Sequence, residues 1–167
     1  MITLKIQKGV GMIEVLVSMI VLSIGILGFV ALQARATAAT SEALKRSEAL
    51  LVLQGLAERM RLNSQSNYLV TATDKDCITK ICNASDQAQD DLYLINKEAT
   101  VKNMKVATME CPQTSTEQKR TCLIAAWDKT EPSKGDLPTD ISQNIPCLSA
   151  DGSKYQDQAT CMLMEVY

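Results

Sequence analysis

The residues best able to do chemistry in this chain are six cysteines and one acid at the entrance to an apolar run. The cysteines are Cys77, Cys82, Cys111, Cys122, Cys147 and Cys161, and none lies in the first 76 residues. An even set confined to the C-terminal part suits a disulfide framework made in an oxidising compartment. Zinc is the competing use. Cys77 and Cys82 have four residues between them, and no second close pair completes a ribbon-type site. Disulfides are therefore expected, and no metal or cofactor. Six cysteines allow many connectivities. Nearest-neighbour pairing (Cys77–Cys82, Cys111–Cys122, Cys147–Cys161) is expected because each pair closes a plausible loop.

Other chemistry has little to work with. Histidine is absent, which removes the commonest general base and metal ligand together. The chain has no Cys-x-x-Cys, nucleophile-elbow or phosphate-loop motif. No catalytic residue is assigned, and the expectation is a protein that is not an enzyme. The balance of 17 basic against 19 acidic residues argues against nucleic acid as a direct partner.

The acid is Glu14. It precedes Val15–Leu32 (VLVSMIVLSIGILGFVAL), which carries no charge. A helix spanning a bilayer needs about 20 apolar residues, and 10–32 supplies them with Glu14 as the one intruder. Lys5 and Lys8 place the N-terminal side in the cytoplasm by the positive-inside rule. The cysteines then fall outside, as disulfides require. A secretory signal peptide competes with this reading, and Ala34-Arg35-Ala36 or Ala36-Thr37-Ala38 would suit its cleavage. The apolar run is longer than such a signal needs, and an acid at its entrance serves no purpose there.

The elements that must carry these residues follow from pattern. The helix is expected to continue through 33–62, with Ala43, Leu50, Leu53, Ala57 and Met60 on a face packed against its own domain. Leu44 and Leu51 form a second strip, a candidate contact with neighbouring subunits. Asn63-Ser64-Gln65-Ser66-Asn67 reads as the helix end. A short helix is expected over 86–99 with Ser85 as its cap. Strands are expected at 104–110, 121–128 and 160–167, with Trp127 filling the core of the sheet. Residues 131–146 hold three of the four prolines and read as an extended loop. The fold class is α+β.

Gly9-Val10-Gly11-Met12-Ile13-Glu14 followed by VLVSMIVLSIGILG resembles the class III signal of type IV pilins and pseudopilins. The resemblance implies a type IV pilin-like fold: one long helix, half membrane-spanning and half amphipathic, packed on a small antiparallel sheet with disulfides. It implies that a prepilin peptidase cuts after Gly9 and methylates Val10, leaving Glu14 fifth in the mature chain. The family usually has phenylalanine where Val10 stands, and the spacing to Glu14 selects Gly9 over Gly11. The implied organisation is a leader at 1–9, a filament-core helix at 10–32, its amphipathic half at 33–62 and a periplasmic head at 63–167. Glu14 would pair with the new N-terminal amine of its own or the next subunit. Gly25 and Gly28 would permit close helix approach or a local loosening on assembly.

Within that family the anchor MIEVLVSMIVLSIGILGFVALQ is most like that of a minor pilin. The implied work is to start or cap a pilus, in support of twitching, adhesion or DNA uptake. The implied partners are other minor pilins, the major pilin, the inner-membrane assembly machinery and a tip adhesin. The subunit would wait in the bacterial inner membrane and then enter the pilus. A type II secretion pseudopilin is the alternative, and a secreted or membrane-tethered periplasmic binding or redox protein a further one.

Overall fold

The computed structural model describes residues 11–112, 114, 119–140 and 142–166. The chain is α+β, and the described residues form helix α1 (Met12–Leu62), helix α2 (Ala84–Val101) and five strands. The strands are β1 (Met104–Glu110), β2 (Thr121–Trp127), β3 (Thr130–Lys134), β4 (Ile145–Leu148) and β5 (Cys161–Val166). Two compact units divide the chain, Met1–Ala43 and Leu44–Tyr167. In the first, every described residue is helical apart from Gly11, and none is buried. The second holds the sheet, α2, the C-terminal turns of α1 and all six cysteines.

In the second unit, α1 buries Ala49, Val52, Leu53, Leu56 and Ala57. This face is rotated from the expected one, since Ala43 and Leu50 are exposed. Leu53 and Ala57 of the expected stripe are buried, and Ala49, Val52 and Leu56 extend the buried arc away from Leu50. The buried side chains meet Ala88, Leu92, Ile95 and Ala99 of α2, with Met104, Val106, Leu123, Ala125 and Trp127 of the sheet. The α2 residues recur at three- and four-residue steps, which is what one packed helical face requires.

α2 starts two residues earlier than expected, because Asn83 and not Ser85 caps it. The Asn83 side chain accepts from the Asp86 amide at 2.8 Å. Asn103 carries the chain from α2 into β1 in the left-handed region, at φ 55°, which asparagine tolerates.

A buried carboxylate ties the end of α1 to α2. Asp91 accepts from Arg59 at 3.0 Å, Gln87 at 3.1 Å and the Tyr68 hydroxyl at 2.8 Å. Burial and then the Asp91 hydrogen bond push the Tyr68 hydroxyl up to about 12. One residue earlier, the buried Asp90 accepts from the amides of Lys75 and Asp76, holding that segment against α2.

The main sheet is antiparallel in the order β1-β2-β5, running from Met104 opposite Trp127 to Thr121 opposite Val166. β2 is central and covered on both faces, which explains its unbroken apolar sequence. One face meets the helices. On the other, Ile124 packs with Cys147 and Leu148 in a second, smaller core.

That smaller core is backed by β4, whose first two residues lie in the segment expected to be a loop. β3 and β4 pair in parallel, Thr130 opposite Ile145 and Glu131 opposite Pro146, with an irregularity before Lys134. Pro132 and Pro146 argued against strands, since proline cannot donate to a ladder. A two-stranded sheet tolerates them, because each strand has one unpaired edge. Thr160 fastens this pair to the main sheet: its amide donates to Thr130 Oγ1 at 2.8 Å and its hydroxyl to the Trp127 carbonyl at 2.6 Å.

Candidate assembly surface

The first unit presents an uncovered apolar helix. An 18-residue window of α1 has a mean hydropathy of 2.8, and none of it is buried. Val15, Leu16, Met19, Ile20, Leu27 and Phe29 all stand open to the surroundings. So large an apolar surface is stable only when lipid or other chains cover it. The few polar groups along it are satisfied locally. Ser18 donates to the Val15 carbonyl at 2.8 Å and Ser23 to the Met19 carbonyl at 2.7 Å. Thr37 and Thr40 donate to Ala34 and Ala36 in the same way. These hydroxyls therefore add little polarity to the helix surface.

Gly25 and Gly28 lie inside the unbroken helix, and an added Cβ at either would meet nothing within 4 Å. Nothing among the described residues therefore demands glycine at either position.

Glu14 sits in the first turn of α1, where a carboxylate is favoured by the helix dipole. Its Oε2 accepts from the Gly11 amide at 3.4 Å, and the Glu14 amide donates back to the Gly11 carbonyl at 3.0 Å. This is half of a capping box: the Glu14 side chain reaches back to the Gly11 amide, while Gly11, lacking a side chain, answers only with its backbone carbonyl. The spacing Gly11-x-x-Glu14 was the available signal for this local role. Gly9 and Val10, assigned to peptidase cleavage and methylation, lie outside the described residues.

In the second unit, three disulfides join Cys77–Cys82, Cys111–Cys122 and Cys147–Cys161, with Cα separations of 5.5, 4.9 and 5.9 Å. The first closes the tight turn before α2. The second clamps the β1–β2 connection, where the Cys111 amide also donates to the Arg120 carbonyl at 2.9 Å. The third joins β4 to β5 beneath the smaller core. Trp127 is buried in the main core, so it offers no exposed platform for a ligand. Leu44 and Leu51 of α1 are exposed, leaving that strip available for another chain.

Residues 31–93 match the family model described as Tt1218-like, type IV pilin Tt1218. The match supports a type IV pilin. It begins where the apolar anchor ends and runs through the rest of α1 and most of α2. It therefore owes almost nothing to the anchor wording, and two different stretches of chain point the same way. No curated protein and no solved structure matches the chain. The architecture agrees, being a type IV pilin-like α+β fold with a long N-terminal apolar helix, a small antiparallel sheet and disulfides. The uncovered helix is long and apolar enough to anchor the chain in a membrane.

Proposed function

We propose that this protein is a minor pilin of the PilV type, a subunit that starts or caps a type IV pilus. The observation that carries the reading is the uncovered apolar helix with one acid in its first turn, in a chain whose residues 31–93 match a type IV pilin. A prepilin peptidase removes residues 1–9 after Gly9 and methylates Val10. Lys5 and Lys8 hold the N-terminal side in the cytoplasm, and the head folds and forms its disulfides in the periplasm.

Cleavage creates a cationic amine at Val10, four residues before Glu14. In a filament the amine of one subunit meets Glu14 of the next, and pairing offsets the cost of holding either charge in an apolar medium. Neighbouring subunits then replace lipid over Val15–Leu32. The work of the protein is contact with other minor pilins, the major pilin, the assembly machinery and a tip adhesin, in support of motility, adhesion or DNA uptake.

Two measurements test the proposal. Mass spectrometry of the mature protein should find a methylated Val10 as its first residue. A chain starting at Thr37 or Ala39 would mean simple secretion. Glu14→Ala should insert in the inner membrane normally but disappear from sheared pili. Recovery of that variant in pili at the wild-type level would overturn the assembly role given to Glu14.

A further inference from the structure

A cleft of about 610 Å3 opens in the head where the last turn of α1 meets the ends of β2 and β5. That volume lies in the range of small-molecule sites, about 300–1,000 Å3. Among the described residues its charged lining is of one sign: Arg61, Lys119 and Arg120 line it. Ser64, Ser66 and Thr121 add hydroxyls, and Met60 and Val166 add an apolar strip.

The three cations have acid partners outside the lining. Arg61 pairs with Glu58, Lys119 with Glu110 and Arg120 with Glu165. The first two pairs are exposed, and exposed pairs are worth about 0–1 kcal/mol, so either cation can turn to a ligand at little cost. Arg120 is more enclosed and pairs with Glu165, its planar fork suited to bidentate contact with a carboxylate or phosphate. Ser66 donates to Asn63 at 3.2 Å and keeps its lone pairs for another donor.

We propose that this cleft binds a small anionic saccharide, its carboxylate or phosphate held by Arg61, Lys119 and Arg120. The three hydroxyls match the hydroxyl rim of a sugar ring, and Met60 with Val166 match its C–H face. A bare inorganic anion would use the cations and leave the rest of the cleft empty.

The test is calorimetric titration of the full chain in nonionic detergent. The probes are glucuronate, glucose 6-phosphate, glucose and inorganic phosphate. At least one of the two acidic sugars should bind in the millimolar range or tighter, and glucose should not. Which of them binds decides between a carboxylate and a phosphate. Arg61→Gln and Lys119→Gln should each weaken binding about tenfold. Arg61→Lys should retain most of it. Lys105→Gln, at the opposite end of the sheet, should change nothing. The proposal is overturned if neither acidic sugar binds, if glucose binds equally well, or if both glutamine variants bind like the parent. Inorganic phosphate binding as tightly as glucose 6-phosphate would overturn the saccharide assignment.

Discussion

Replacing Asp91 by alanine should destabilise the head by about 3–6 kcal/mol. Asp91 is 3% exposed and accepts three hydrogen bonds, from Arg59, Gln87 and Tyr68. Hydrogen bonds to a charged group are worth about 1.5–3 kcal/mol each. The three do not count equally. The Arg59 side chain is 40% exposed and recovers water when its partner goes, so its bond counts for about half. Gln87 is half-buried and is discounted likewise. The Tyr68 hydroxyl is buried, and its remaining acceptor is the Arg59 carbonyl at a longer 3.3 Å, so its bond counts nearly in full. The assay is urea unfolding of the full chain in detergent, followed by the fluorescence of Trp127, the one tryptophan. Tyr68→Phe should cost about 1–2 kcal/mol, because it removes one bond and leaves the carboxylate two. The double variant should cost less than the sum, since both changes delete the same contact. A cost below about 1 kcal/mol for Asp91→Ala, or strict additivity of the pair, would refute the clamp.

The same hydroxyl makes an alkaline prediction. Its pKa is raised from 10.0 to about 12 in the folded head, so its stabilising contribution is complete below pH 10 and is lost as the pH rises toward 12. Unfolding free energies over that window should fall less steeply for Tyr68→Phe than for the parent. Leu53 is 0% exposed, and Leu53→Ala should cost about 3 kcal/mol by the same assay, while Leu51→Ala, at an exposed position, should stay within about 0.5 kcal/mol. Equal losses would mean that the packed face of α1 is misassigned. Gly152 has φ +73°, and an added Cβ would lie 2.6 Å from Pro112 Cβ. Gly152→Ala should therefore cost about 2 kcal/mol or more through strain and overlap together, and a neutral result in urea unfolding would refute the contact.

What could be read in the sequence divides along physical lines. Hydropathy is a local property, so the apolar helix was visible from Val15–Leu32 alone. β1, β2 and β5 were visible because each is a short apolar run bounded by turn residues, and their ends shift by no more than a residue. The parallel pair β3–β4 was hidden, because its stability comes from contacts far along the chain. Thr130 is held by Thr160, and Cys147 and Leu148 pack on Ile124. None of those partners is near in sequence, and Pro132 and Pro146 gave a true local signal with the wrong consequence. The packed face of α1 was misplaced for a related reason. Its apolar residues, among them Leu50, Leu51, Leu53 and Leu56, are spread around much of the helix. The positions of α2 and the sheet decide which of them are buried.

Glu14 shows how a local role and an intermolecular one can share a residue. Reading the sequence sought its partner in a terminal amine, whereas the structure supplies the Gly11 amide three residues back. One long hydrogen bond from a neutral amide does not neutralise a carboxylate in an apolar medium, where an unpaired charge still costs several kcal/mol. The cap holds the carboxylate at the positive end of the helix, which makes a single membrane-anchored chain less costly. It leaves the second oxygen and the net charge to attract a cation. Local capping is thus compatible with pairing to another subunit, and the two make different demands on a substitution. Glu14→Gln keeps an acceptor for the Gly11 amide but abolishes the charge. A requirement for the charge predicts that this variant fails to enter pili as Glu14→Ala does, whereas a requirement for the cap alone predicts that it enters normally.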